Sequence, residues 1–528
     1  MVKETDKHLK YREIAGASIF FIVVVFAVLI GAGTLTSGIH MVDDHEFLEW
    51  FYNIRMKGAS VTDEIGRVLK SDFNIRFRPL YIVLRVLEAY MFGANMFWPS
   101  VINAVWIIVC MILLYYCGRM MGAGKFVSAM FALISLVGYQ SVVWWKLGPQ
   151  ESFGSMLFAL GLYFMLKWLQ SGKISRGIIS LMFFFLMSNY KESYVLVLPF
   201  CGAYILYTIS QDIQKPDDWK MLFLRLKGKY WYISGLIVVF TYTLAAILLV
   251  TGVTGYDGFD VRNSLSVREY LEVFFHSLDG DLRWYKLFTL LFIAVLLTFW
   301  EDLKKLWREV LLLIVFLMPQ FALYAQTGIA ERYMLPCVIG YAWFFVIVVL
   351  KGKLLTGKRK TFYLSCLILL LLANARAMII EADYFRYRGE SVTGMLEAVE
   401  ELADEQEINI LSCFRPNEEG NLTVYYWMLL NGHDNVYYWT EDSGEINRVC
   451  DPHLNYDSSD AEIYRSRKLD EMDVVLMYNR NDRHYCYQPS LDPADFEMMD
   501  CGSMTIWIRK GRVEMPELPH IKEYFYSM

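Results

Sequence analysis

Over its first 380 residues the chain alternates long apolar runs with short polar connectors, and then it changes character. A helix that crosses the hydrocarbon core of a membrane needs about 20 consecutive apolar residues. Residues 14–35 form such a run, and its length and lack of a small-residue cleavage site predict an uncleaved first span rather than a signal peptide. Further runs lie near 95–117, 126–145, 152–170, 177–189, 193–210, 231–252, 284–300, 309–326, 333–350 and 361–380, so the pattern predicts about eleven spanning helices. The stretch 177–210 is broken at Asn189-Tyr190-Lys191-Glu192 and reads either as one long helix or as two short crossings.

Lysine and arginine beside the spans set the expected orientation. With the N-terminus inside, the inner segments hold Lys3, Lys7, Lys10 and Arg12, then Lys215, Lys220, Arg225, Lys227 and Lys229. They also hold Lys304, Lys305 and Arg308, and the run Lys351, Lys353, Lys358, Arg359 and Lys360. The first outer loop is basic as well, but several others are poorer in positive charge. The expectation is a plasma-membrane protein with a cytoplasmic N-terminus and an extracytoplasmic C-terminus, which requires 177–210 to cross twice.

From residue 381 the apolar runs stop, and helical and strand patterns alternate. Residues 391–406 read as an amphipathic helix, with Met395, Leu396, Val399 and Leu402 near helical spacing. Residues 408–414, 436–439 and 474–478 read as strands, 422–430 as a helix, and 496–509 as a hairpin around Cys501-Gly502-Ser503. The tail is long enough for one small α/β domain. It carries no glycine fingerprint and no nucleophile elbow, so it is expected to be an outside accessory unit. The predicted organisation is a transmembrane domain over 1–380 and an extracytoplasmic α/β domain over 381–528.

Composition supports this division. The 528 residues are 56% hydrophobic and 20% charged, against roughly 45–50% and 25% for an ordinary soluble domain. A net charge of −6 without a basic domain argues against nucleic-acid binding, and the 16% aromatic content excludes disorder. Cys110, Cys117, Cys201, Cys337 and Cys366 fall in or beside spans as small apolar fillers. Cys413, Cys450, Cys486 and Cys501 lie in the tail, where three disulfide connectivities are open. None has the paired spacing of a structural zinc site.

The chemistry-bearing residues interrupt apolar helices near one face. Asp43-Asp44-His45-Glu46 directly follows the first span. It reads either as a carboxylate cluster for general-base work or a divalent cation, or as a helix start with Asp43 as N-cap and Glu46 at N3. Arg76-Phe77-Arg78-Pro79 is either a proline-initiated helix with headgroup anchors or a guanidinium set for a lipid-linked phosphate. In Trp144-Trp145-Lys146-Leu147-Gly148-Pro149-Gln150-Glu151 the tryptophans read as an interfacial belt. Glu151 is there either a helix N-terminal acid or a second carboxylate facing Asp43. Lys191-Glu192 and Glu331-Arg332-Tyr333-Met334-Leu335-Pro336 place ionisable groups at span ends, where they either snorkel to the interface or work. Within 252–283, Ser266-Val267-Arg268-Glu269 is a capping box opening a short interfacial helix, and Asp279-Gly280-Asp281 is a turn before it is a metal motif. In the eleven-span arrangement all five charged clusters fall on one side of the membrane.

An acidic pair after the first span, then Arg-Pro-Leu, Lys-Glu at a span end and Glu-Arg-Tyr-x-Leu-Pro before a late span make an order that resembles the GT-C class of integral membrane glycosyltransferases. Within that class it resembles the protein O-mannosyltransferase-like branch and the bacterial aminoarabinose transferases. The likeness covers roughly residues 14–380 and leaves the tail unexplained. It implies a sugar donor on a polyprenyl phosphate, held from the membrane, and transfer to an acceptor hydroxyl at the extracytoplasmic face. Asp43 matches the first acid of the family's pair and would be the general base. Asp44 stands where the Asp-Glu form has glutamate, so the choice between the two stays open. Lys191 and Arg332 match positions whose charge would meet the donor phosphate, with Arg78 as a third. Glu192 and Glu331 would orient those cations, and Glu46, Glu151 and Tyr333 would stand on the orienting or acceptor side.

A lipid phosphate leaving group needs preorganised positive charge as its own charge develops. A base on the far side of the anomeric carbon would make the displacement single and inverting. The expected partners are therefore the bilayer, a polyprenyl-phosphate-linked sugar, and a protein or cell-envelope glycan acceptor. No obligatory cofactor is expected, and a divalent cation is the alternative left open. Two other function classes compete. A transporter or flippase of a glycan or lipid-linked sugar should show related halves, and the sequence has no internal repeat. A non-catalytic envelope scaffold would use the tail for binding.

Overall fold

The computed structural model describes residues 2–74, 76–148, 151–211, 226–251, 266, 268–269, 272, 306–327, 332–351, 358–414, 419–439, 446–448, 468–479, 489 and 491–512. The protein is a mostly helical integral membrane protein with a small C-terminal sheet. Eight of its described helices are long and apolar enough to cross a membrane, and two more, Lys125–Leu136 and Ile174–Tyr190, are apolar but shorter. These ten follow the expected runs one for one. The run near 284–300 lies outside the described residues, as do Asp279, Asp281, Glu331, Cys450 and Cys486.

The first span is helix α1 (Val2–Ala32). Three short helices follow: α2 (His45–Arg55), α3 (Val61–Asp72) and α4 (Pro79–Phe92), the last with proline in its first turn as its sequence predicts. Helices α5 (Phe97–Met120), α7 (Glu151–Ser171) and α8 (Ile174–Tyr190) pack side by side, with α6 (Lys125–Leu136) on α5. Then come α9 (Leu198–Gln211), α10 (Tyr230–Thr251), α11 (Trp307–Thr327) and α12 (Leu335–Lys351). Arg85 and Glu88 of α4 are buried as an ion pair at 2.8 Å.

Two departures from the periodic reading matter for function. The run at 126–145 is not one span. Helix α6 stops at Leu136, Gly138 takes φ +148°, and a 3-10 turn at Tyr139–Trp144 folds back into the protein. Trp144 and Trp145 are therefore 1% exposed, not interfacial, and the Trp144 indole N–H donates to Leu136 O at 3.1 Å. The second departure is α13 (Lys358–Glu405), a single 48-residue helix. The boundary expected at 380/381 falls inside it, as does all but the last residue of the amphipathic segment 391–406. Apolar residues run around its first part, whereas later Val392, Met395, Leu396, Val399 and Leu402 are buried on one side.

The tail forms a six-stranded sheet in the order β3-β2-β1-β4-β6-β5. Strand β1 (Ile410–Ser412) is followed by helix α14 (Glu419–Leu430) and β2 (Val436–Trp439), matching the predicted strand, helix and strand. Strand β1 runs parallel to β2 and to β4 (Val474–Tyr478), with Ile410 opposite both Val436 and Val474. The predicted hairpin is β5 (Phe496–Cys501) and β6 (Met504–Arg509), turned by Gly502 at φ +78°. Strand β3 (Ile446–Arg448), which no pattern signalled, adds an antiparallel edge to β2.

Candidate active site

The site begins where α1 ends. Residues 37–44 make a compact turn in which Met41 and Asp43 adopt left-handed backbone, at φ +54° and +57°. For residues with a Cβ such a conformation costs on the order of 1–3 kcal/mol and persists only where the surroundings enforce it. The expected cap is not made: Asp44, not Asp43, is the residue before α2, and no side chain caps that helix. Instead Asp44 Oδ2 accepts the backbone N–H of His40 at 2.5 Å, and its Oδ1 is buried without a hydrogen-bond partner. His40 Nε2 lies 2.8 Å from Ser37 Oγ, and burial holds its imidazole down to about 3 and so neutral.

The two aspartates have opposite environments. Asp44 is fully buried, which pushes its carboxyl up to about 7 against the His40 N–H, with the Asp43 charge adding to the rise. Asp43 is half-buried. Burial raises its carboxyl too, but Arg332, His45, Arg78 and Arg76 outweigh that effect and hold it below its ordinary value. Glu46, one helical turn on, accepts the Tyr81 hydroxyl at 3.0 Å. Its carboxyl rises to about 7 through burial, opposed by Arg78 and reinforced by Asp43. Tyr81 also reaches Gly148 O at 3.3 Å. A Cβ on Gly148 would overlap the Asp43 side chain, so glycine is required for this approach.

The cations come from three other elements. Arg78 precedes α4, pairs with Asp72 at 2.8 Å and lies 4.6 Å over the Tyr81 ring. Lys191 sits at the break between α8 and the 3-10 turn Glu192–Val197; it is 6% exposed and does not snorkel. Its Nζ is 3.1 Å from Glu151 Oε1 and 5.2 Å from the centre of the Tyr333 ring. Arg332 lies over the same ring at 5.1 Å, in the 3-10 turn that leads into α12. Its guanidinium touches the Tyr333 hydroxyl at 3.4 Å and is within electrostatic reach of Glu151 and Asp43. Among the described residues Arg332 makes no ion pair, whereas Lys191 and Arg78 are each matched by a carboxylate.

Nine of the ten sequence-predicted residues thus meet around one centre, and the tenth, Glu331, lies outside the described residues. The partner of Lys191 is Glu151 rather than its neighbour Glu192. Glu192 is 2% exposed with Oε2 lacking a hydrogen bond, and its charge acts on Asp72 and Arg78. Sequence reasoning missed Tyr324, whose ring stacks on Tyr333 at 4.9 Å and whose hydroxyl donates to Ser193 at 2.8 Å. It also missed Asp72, Tyr81 and, in the tail, Glu419, whose Oε2 accepts the backbone N–H of Asp43 at 3.0 Å. Tyr324, Tyr81 and Glu419 meet partners far along the chain, and Asp72 pairs with Arg78 across the break between α3 and α4, so no helical spacing marks these residues. Among the described residues no cluster of three or more His, Cys, Asp or Glu side chains is arranged to hold a metal ion.

No family model matches the sequence, and none of the curated proteins does. The solved structures that match include two. One is ArnT from Cupriavidus metallidurans in the apo state, with 12% identity and a TM-score of 0.47 over 81% of this chain and 86% of that one. The other is the Archaeoglobus fulgidus oligosaccharyltransferase in the apo form, with 13% identity and a TM-score of 0.42 over 84% of this chain. The match spans 62% of the length of that second protein.

Proposed function

We propose that this protein is a membrane glycosyltransferase that moves a sugar from a polyprenyl-phosphate donor to an acceptor hydroxyl at the extracytoplasmic face, with inversion at the anomeric carbon. The observation that carries the reading is the pairing of a half-buried carboxylate held ionised, Asp43, with a guanidinium, Arg332, that makes no ion pair among the described residues. Asp44 is fully buried with one carboxylate oxygen held on the His40 N–H, so it is the less accessible candidate for the base. In the reaction Asp43 takes the acceptor hydroxyl proton as the oxygen attacks the anomeric carbon. The bond from that carbon to the lipid phosphate oxygen breaks, and the leaving phosphate carries the negative charge.

Arg332, and beside it Lys191, would stabilise that developing charge. The shared Tyr333 ring and Glu151 hold the two cations in register, so little reorganisation is needed when the phosphate arrives. Arg78, already matched by Asp72, tunes Asp43 and Glu46 more than it offers a free donor. The protein or envelope-glycan acceptor would approach on the Asp43 side.

The test is transfer from a panel of polyprenyl-phosphate sugars by the purified protein in lipid nanodiscs, beside Asp43→Asn, with a crude acceptor extract. Label passing to an acceptor with wild type only supports the reading. Movement of the lipid-linked sugar across sealed vesicles, with the glycosidic bond intact, would replace it with transport.

A further inference from the structure

The tail is tied into the candidate site at several points, and all of them act on the same short turn. Thr393 Oγ1 of α13 accepts the Ile39 N–H at 2.9 Å. Gly389 packs so closely on Ser37 and His40 that a Cβ there would overlap both. Arg388 spans from Met41 O at 3.5 Å to the Tyr478 hydroxyl at 3.4 Å. Glu419, at the start of α14, accepts the N–H of Asp43 across 376 residues of sequence. Helix α14 itself packs on α2, the helix that begins one residue after Asp44.

The sheet topology explains why these contacts converge. The chain leaves β1 toward β2 through α14, whereas β4 lies on the other side of β1. In an open α/β sheet, the crevice outside the carboxyl ends of two such strands is the usual place for a ligand. Here Phe414, just after β1, and Tyr478, at the end of β4, close that crevice with rings 4.8 Å apart. The Asn421 amide donates to Phe414 O at 3.0 Å, and Ser412 Oγ lies 2.6 Å from Asn421 Oδ1, which fixes the start of α14 against β1. The crevice edge therefore presents Glu419 to the 37–44 turn.

We infer that Glu419 is a positioning residue for Asp43: by accepting the Asp43 N–H it holds the left-handed turn that aims the Asp43 carboxylate at the acceptor. The tail is then a working wall of the site, not an accessory unit. Burial, with Asp43 adding to it, pushes the Glu419 carboxyl up to about 8. The raised carboxyl favours its protonated form, which limits a second negative charge beside Asp43. This inference rests on the proposed transferase reading for its kinetic consequence, but the clamp itself can be read without turnover.

The experiment compares wild type, Glu419→Ala and Glu419→Gln as full-length protein in nanodiscs, by amide hydrogen exchange over residues 39–46 and by transfer kinetics with the polyprenyl-phosphate sugar panel. A glutamine oxygen can accept the same N–H. The expected result is exchange about tenfold faster in that segment for the alanine variant and near wild type for the glutamine variant. In transfer, kcat falls on the order of tenfold to a hundredfold for alanine with the donor KM unchanged, and glutamine restores it. Unchanged exchange in Glu419→Ala overturns the clamp. So does a Glu419→Gln variant that is folded but as fast-exchanging as alanine, which keeps the test decisive if alanine misfolds. A wild type that consumes no donor counts against the transferase reading alone, because the exchange still decides the clamp.

Discussion

Two turns interrupt the helical framework and meet at the candidate site, and they are built in opposite ways. The 191–197 turn is made by the bundle. Lys191 is buried where α8 stops, Glu151 from the start of α7 balances it, and Tyr324 and Gln320 of α11 hold Ser193. The 37–44 turn has two residues in left-handed backbone and is held largely by groups more than 340 residues away. The first turn supplies a cation whose charge is already matched, so its energy is mostly paid within the helices that carry it. The second supplies an anion kept ionised by cations from several elements. Under the proposed reading, the cation that would meet the phosphate is preset by packing within the bundle, whereas the proposed base depends on the whole chain folding around it.

The largest test of this contrast is Asp43→Asn. It keeps the shape of the turn and removes its base, so transfer should fall on the order of 10²–10⁴-fold with donor binding retained; near-normal turnover would take the base role from Asp43. Next, Arg332→Ala should cost on the order of 10²–10³-fold in kcat. Lys191→Ala should cost less, because its charge is already balanced by Glu151. Equal losses in side-by-side kinetics would mean that the ion pair opens when donor binds. Gly148→Ala should come third, since the added Cβ displaces Asp43 at its own Cβ. A shift near 1 Å costs about 10²-fold, and donor affinity should stay unchanged if the cation side is independent.

The last test concerns stability and pH rather than rate. Asp44 keeps its proton in the folded protein up to about 7 but loses it near its ordinary value when unfolded. Its contribution is therefore complete at low pH and is lost as pH rises from about 4 to 7, at roughly 1.4 kcal/mol per pH unit. Asp44→Asn should flatten that decline in thermal unfolding between about pH 4 and 7. An unchanged slope would show that Asp44 is ionised in the fold.

How much of this was legible depends on the range of each signal. Apolar runs are local, so the spans, the strands at 436–439 and 474–478, and the 496–509 hairpin were read from the pattern. The break at Lys191-Glu192 was read too, because two ionisable residues between LMFFFLMS and SYVLVLP stand out by themselves. Trp144 and Trp145 were misplaced, because an aromatic pair at a run end looks the same whether it faces headgroups or folds inward after Gly138. Helix α13 hid its length because its apolar surface narrows from all-round to one-sided with no proline to mark an end. Glu419 was invisible for a different reason: its partner is a backbone N–H, which every residue but proline offers, so no pairing of side-chain types could announce it.

Helix α13 has one more consequence. At about 1.5 Å per residue its 48 residues make a rod of about 72 Å, more than twice the roughly 30 Å depth of a hydrocarbon core. The same rod carries Gly389 and Thr393 against the 37–44 turn. One helix thus reaches from the hydrocarbon core to the turn that carries Asp43, and activity is expected to vary with acyl-chain length in reconstituted membranes; the same rate in short- and long-chain bilayers would show that the two ends are independent.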